Sequence, residues 1–159
     1  MSTAAIYNYL QVDDDLCLGG QPTEAQLRAA AAEGFVTVIN LATLHPDDAL
    51  QDEAGLVQAL GLTYIHLPVA WGNPRPEDFA AFERAFSSRP AGKTLLHCAA
   101  NYRATAFYGL YAQKHLGWSE AQAEVFRAQI WAGSNYPVWE QFIAHIRAQL
   151  NGPAAGSAR

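Results

Sequence analysis

The chain has 159 residues, of which half are apolar and 16% are charged, a size and composition that suit one soluble globular domain with a real core rather than two. A net charge of -5 argues against a nucleic-acid binder, because affinity for a phosphate backbone needs a surplus of Lys and Arg on one face. The two cysteines, Cys17 and Cys98, are far apart and show no CxxC or metal-ligand spacing, so neither a disulfide framework, a zinc site nor any other cofactor is indicated.

The first stretch, "MSTAAIYNYLQVDDD", lacks the basic start and long apolar run of a secretory signal, and no later run is long enough to cross a bilayer. The expectation is a cytoplasmic, bacterial-type protein with no membrane partner. Cys17 ends or flanks an early strand, and a redox disulfide between it and Cys98 is conceivable. Pro22 opens a helix that runs to Glu33 and stops at Gly34. Phe35 to Leu41 is β-branched and nearly continuously apolar, as a strand buried on both faces should be. Pro46 to Leu60 is helical in composition, with Asp47 and Asp48 near its start and Gly61 past its end. Leu62 to Leu67 forms a second strand, and the loop "PVAWGNPRP" leads into a helix from about Glu77 to Ser88 with Phe79, Phe82 and Phe86 on one stripe. Leu95 to His97 is a third, short strand. The segment after Arg103, "ATAFYGLYAQKHLG", is apolar almost all round and belongs inside the domain. Helices at about Ser119 to Trp131 and Pro137 to Leu150 complete a single domain over residues 1–150, and residues 151–159 read as a disordered tail. Strands alternating with helices imply an α/β fold, a mostly parallel central sheet flanked by helices.

Ligands of such sheets bind beyond the carboxyl ends of the strands. Cys98 sits at such an end, immediately before a helix, where loop N–H groups and the helix dipole favour an anion and favour thiolate over thiol. Arg103 adds a planar fork of donors that matches a tetrahedral oxyanion. The bland alternative is a small apolar residue closing a buried strand, since cysteine is common in cores.

"LLHCAANYRAT" resembles the His-Cys-x5-Arg-Ser/Thr signature of cysteine-dependent protein tyrosine and dual-specificity phosphatases. "DDLCLGGQPTEAQLRAAAAEGFVTVINL" and "PVAWGNPRPEDFAAFERAF" are similar to a bacterial phosphatase-like branch related to the domain of beta-lactamase-hydrolase-like proteins, and the likeness spans about residues 6 to 148. The resemblance implies a protein-tyrosine-phosphatase-like fold and hydrolysis of a phosphomonoester, phosphotyrosine-like or a small aryl phosphate, on a small molecule or a phosphoprotein. It implies attack by Cys98 to give a phosphocysteine, with Arg103 and the loop residues Ala99, Ala100, Asn101 and Tyr102 holding the phosphate oxygens. It further implies a structural hydrogen-bonding role for His97 behind the cysteine, and for Thr105 a hydroxyl that stabilises the thiolate; local backbone bonding by Thr105 is the alternative. Gln21 in "GGQP", Trp71 and Asn73 are candidate pocket residues, and Trp118, Trp131 and Trp139 read as helix packing.

Three features depart from that pattern. Four residues rather than five separate Cys98 from Arg103, so either the turn is tighter or the arginine is moved one step, which near a helix start rotates a side chain by about 100°. The turn has no glycine, leaving Asn101 as the residue best suited to positive φ. The loop Val69 to Asn73 carries no aspartate to act as general acid; Glu77 and Asp78 follow only at the next helix, where first-turn acids favour the dipole anyway. A Cys-x4-Arg turn without an acid also fits a rhodanese-like sulfurtransferase with a persulfide on Cys98, and an anion-binding module without turnover is the third reading.

Overall fold

Runs of residues buried on both faces make the inner strands of this protein. The computed structural model describes residues 2–45, 47 and 49–151. Its sheet has five strands, β1 (Leu10–Asp13), β2 (Leu16–Gly19), β3 (Phe35–Asn40), β4 (Thr63–His66) and β5 (Lys93–His97), in the order β1-β2-β5-β3-β4. Only the β1–β2 hairpin is antiparallel; β2, β3 and β4 join the sheet in parallel. The α/β architecture and its mostly parallel sheet are therefore as the alternating pattern implies. The antiparallel hairpin carries too few residues of clear period to be legible in advance.

Side chains alternate across the central strand. Leu95 of β5 packs with Cys17, Leu27, Val38 and Val57 under α1 (Glu24–Ala32) and α2 (Glu53–Ala59). Leu96 and Cys98 turn to the opposite face, among Leu18, Ile39 and Phe107. That second face is covered by α3 (Pro76–Ser87), α4 (Tyr102–His115), α5 (Glu120–Trp131) and α6 (Pro137–Asn151). Helix α4 is buried without a break from Arg103 to Ala112, and Phe79, Phe82 and Phe86 of α3 pack onto it, Phe82 edge-on to Phe107 at 5.7 Å and to Tyr111 at 5.9 Å between centroids.

One expected helix is shorter than its composition suggests. Helix α2 begins at Glu53, because the Asp52 carboxylate accepts a hydrogen bond from the Gly55 N–H and caps it there; Asp47, Ala49, Leu50 and Gln51 belong to the connection before it. Pro46 and Asp48 lie outside the described residues, as do residues 152–159 of the expected tail, whereas Asn151 ends α6. The fold also rules out a Cys17–Cys98 disulfide. Cys17 pairs with Leu95, three residues back along β5, so the two lie on the order of 10 Å apart along the strand and on opposite faces, beyond the reach of a disulfide. Among the described residues, no helix is long and apolar enough to cross a membrane.

The α3–α4 stripe dictates a stability result. Replacing Phe82 by Ala in this closed aromatic cluster should cost about 3–5 kcal/mol, read from urea denaturation, while Val125→Ala on a residue 70% exposed should leave the midpoint nearly unchanged.

Candidate active site

The turn from β5 to α4 is short and tightly held. Asn101 takes φ 70° and ψ 7°, the left-handed conformation that lets the chain reverse into the helix without a glycine. Its side chain donates to the Asn8 carbonyl at 2.7 Å, and the Asn8 side chain, on a residue also at positive φ, donates to the Ala100 carbonyl at 2.9 Å. The Ala99 carbonyl accepts from the Gln21 N–H at 2.9 Å, and the Cys98 carbonyl from His97 Nδ1 at 3.1 Å. Framework groups thus draw the carbonyls of Cys98 and Ala99 to one side. In a trans peptide the following N–H points the other way, so those of Ala99 and Ala100 turn toward the cleft that these residues line. Asn101 makes no side-chain cap to α4, which leaves the first-turn N–H groups of the helix open on the same side.

That cleft, about 510 Å³, has Cys98, Ala99, Ala100, Tyr102 and Arg103 along one side and Trp71, Tyr136, Tyr7, Thr43 and His45 on the others. The short spacing is accommodated by starting α4 at Tyr102, so Arg103 occupies the first helical turn and still lines the cleft with Cys98. Its guanidinium donates to the Val69 carbonyl at 2.8 Å. Among the described residues, no carboxylate pairs with it and no other acceptor takes its remaining N–H groups, although only 7% of the residue is exposed. A buried cation without a counter-charge is costly, and the contrast with Arg127 is direct: that second buried guanidinium is clamped by Glu124 and Glu140.

The other candidates distribute as follows. Trp71 lines the cleft, held by stacking on Trp139 at 5.3 Å and by the Trp139 indole N–H donating to its carbonyl at 2.7 Å. Asn73 is exposed in the same loop and does not line the cleft. Glu77 and Asp78 are also outside it. Asp78 caps α3 by accepting from the Arg75 backbone at 3.0 Å, and Glu77 is exposed beside it, so the first-turn role accounts for both. The Thr105 hydroxyl donates to the carbonyls of Asn101 at 2.7 Å and Tyr102 at 3.1 Å and accepts from the Trp131 indole N–H at 3.1 Å; no hydrogen bond joins it to Cys98. Trp131 and Trp139 are thus more than helix packing, since Trp131 holds the first turn of α4 and Trp139 the loop that carries Trp71, while Trp118 packs on Tyr108 and Phe126.

Gln21 reaches the site indirectly. Its amide donates to Glu53 Oε1 at 2.8 Å, and Glu53 Oε2 lies 2.6 Å from His97 Nε2. Glu53 was not legible in the sequence, because a helix expected to start at Pro46 places it mid-helix, where a Glu reads as an ordinary helix former. Burial alone would raise its carboxyl, but the hydrogen bond and charge of His97, with Gln21 and the charge of His66, outweigh that and hold it below its ordinary 4.5. The Cys17 thiol, in contrast, is pushed up to about 12 by burial. Tyr7, Thr43, His45 and Tyr136 also went unrecognised as lining residues, since they come from three separate loops. A larger cleft of about 720 Å³ between α3, α4, α5 and α6 contains no cysteine. Among the described residues, no group of three or more His, Cys, Asp or Glu side chains is placed to hold a metal.

A mostly parallel sheet with this cysteine and arginine at the mouth of its central strand is the fold of cysteine-dependent phosphatases of the protein tyrosine and dual-specificity class. The chain belongs to the family of the phosphatase-like domain of beta-lactamase hydrolase-like proteins, whose family model matches residues 8–115. A beta-lactamase hydrolase-like protein of Xylella fastidiosa is 28% identical over 107 residues, 64% of this chain, and the match spans only 24% of that relative. The crystal structure of a DUF442 protein of Shewanella putrefaciens CN-32, described as a phosphatase, is 32% identical and superposes with a TM-score of 0.82 over 94% of this chain and 98% of that one. The core catalytic domain of the PP-IP phosphatase SIW14 of S. cerevisiae, in complex with citrate, shares the fold at 15% identity, with a TM-score of 0.71 over 92% of this chain and 93% of that one.

Two outcomes follow from this geometry. A Cβ on Gly20 would sit 2.7 Å from the Ala99 carbonyl oxygen and 3.0 Å from that of Tyr7, so Gly20→Ala should cost about 1–3 kcal/mol in a thermal melt and weaken vanadate binding by calorimetry. Because folding lowers the Glu53 carboxyl, its contribution to stability is present above pH 4.5 and is lost as the pH falls through the lower folded value. Urea midpoints measured from pH 6 down to 3 should therefore fall more steeply for the wild type than for Glu53→Gln.

Proposed function

We propose that the protein is a cysteine-dependent phosphatase that hydrolyses an aryl phosphomonoester, phosphotyrosine-like in shape. The observation that carries this reading is the buried, carboxylate-free guanidinium of Arg103 on the same cleft as Cys98. A phosphate dianion supplies the missing counter-charge and accepts from the guanidinium and from the turn N–H groups. Cys98 Sγ, as the thiolate, attacks phosphorus as the bond to the ester oxygen breaks with its electron pair, leaving a phosphocysteine and a phenolate that takes its proton from solvent. Water then displaces the thiolate and releases inorganic phosphate.

The walls of the cleft choose among esters. Tyr7, Trp71, Tyr102 and Tyr136 give it aromatic sides, and among the described residues Arg103 is its one Lys or Arg, so it suits a flat apolar group bearing one phosphate better than a polyphosphorylated one. Among the described residues, no carboxylate lines it to protonate the leaving oxygen, a contribution worth roughly 10²–10⁴-fold elsewhere. A phenolate leaves without that help far more readily than an alkoxide. The acid-free cleft and the short Cys98–Arg103 spacing also favour, as a second reading, sulfur transfer through a Cys98 persulfide.

Release of phosphate from p-nitrophenyl phosphate at pH 5 to 7 tests the first reading. Cys98→Ser should abolish it, Arg103→Lys should lower kcat/KM by about 10²–10³-fold as a bidentate clamp is lost, and alkyl phosphates and inositol polyphosphates should be poor substrates. Transfer of sulfur from thiosulfate to cyanide in place of phosphate release would assign the second reading. Vanadate binding with neither activity would reduce the site to an anion holder.

A further inference from the structure

The His97 ring, with its side chain fully buried, has oxygen on both sides. Nδ1 lies 3.1 Å from the Cys98 carbonyl and Nε2 2.6 Å from Glu53 Oε2, and the Glu53 side chain is itself only 2% exposed. A carbonyl can only accept, and so can an ionised carboxylate. The second Glu53 oxygen takes the Gln21 amide N–H at 2.8 Å, and these hydrogen bonds, with the charge of His97, favour the ionised carboxylate against its burial. With the carboxylate ionised, both ring nitrogens donate and the ring is an imidazolium, which is the state the proposal below assigns. The charged and titratable groups of β4 that face Glu53 are His66 and Tyr64, whose hydroxyl accepts from Asn40, and Cys98 follows His97 directly after β5. Among the described residues, no Lys or Arg pairs with Glu53.

We propose that Glu53 is a positioning residue for the nucleophile: it keeps His97 as an imidazolium behind the Cys98–Ala99 peptide and thereby favours the Cys98 thiolate. This rests on the reading of Cys98 as the reacting group. A charged donor on the Cys98 carbonyl polarises that peptide, and its N–H, on the opposite side, faces the cleft where the negative charge develops. Gln21 completes the arrangement by holding the second carboxylate oxygen. The "GGQP" element, distant in sequence, thus acts on Cys98 through two side chains.

Glu53→Gln separates charge from shape. The new amide can donate to His97 Nε2 and accept from Gln21, so every hydrogen bond persists while both charges vanish. Alkylation of Cys98 by iodoacetamide, followed by mass spectrometry from pH 4 to 9, should show the variant's midpoint displaced to higher pH and its rate at pH 6 lowered about three- to tenfold, the effect of up to about one unit in the thiol equilibrium. Nitrogen-15 NMR of the wild-type ring should show both His97 nitrogens protonated, and in the variant Nδ1 alone. A neutral ring in the wild type overturns the proposal without recourse to any variant, as does an unchanged alkylation profile in a folded Glu53→Gln protein. Alkylation needs no turnover, so a wild type that releases no phosphate yet shows the shift refutes the phosphatase reading alone, and an unshifted profile in an active enzyme refutes this one alone.

Discussion

Four residues must join a strand buried on both faces to a helix buried along ten successive positions, and everything at the site follows from how that turn is closed. A chain crossing the interior there has to place its carbonyls somewhere. This one gives them to His97, Gln21 and Asn8, and the peptide geometry then commits two N–H groups to the opposite side. The left-handed Asn101 is the conformational cost, carried by a residue type that tolerates it. The cleft is the consequence of that closure, with a thiol at its floor and a guanidinium that the protein does not neutralise.

The two buried arginines show how the same side chain serves different ends. Arg127 is matched by two carboxylates and ties α5 to α6. Arg103 is held by one carbonyl from the loop after β4 and otherwise left to the cleft. That loop does double duty, since it also carries Trp71, pinned by Trp139 and bordering the cleft. Its carboxylate-free sequence leaves the proposed discrimination among esters to leaving-group chemistry and to the aromatic walls.

Behind the turn, the Gln21–Glu53–His97 chain brings the segment after β2, the start of α2 and the end of β5 to one point. A buried ion pair is weak evidence for stability, because desolvation offsets much of the attraction. Its place directly behind the Cys98 carbonyl gives it a different use, in fixing which atoms of His97 carry hydrogen and so which way the neighbouring peptide is polarised.

Much of this was legible in the residues themselves. The near-continuous apolar run Phe35–Leu41 and the Phe79, Phe82, Phe86 stripe reveal layers because burial imposes a period on composition, and the "HCAANYRAT" turn marks a candidate anion site because a strand-end cysteine, an Asn able to take positive φ and an arginine fall within six residues. The antiparallel β1–β2 hairpin and the late start of α2 escaped, since each is set by one pairing or one cap rather than by a pattern. What only the tertiary structure decided is which distant groups converge on that turn: Tyr7, His45, Trp71 and Tyr136 around the cleft, Asn8 and Gly20 against the loop, and Glu53 behind His97. Sequence alone determines the local conformation and the chemistry of the turn, because both are short-range. Its walls and its buried counter-charge depend on contacts across the sheet, which no spacing in the chain encodes.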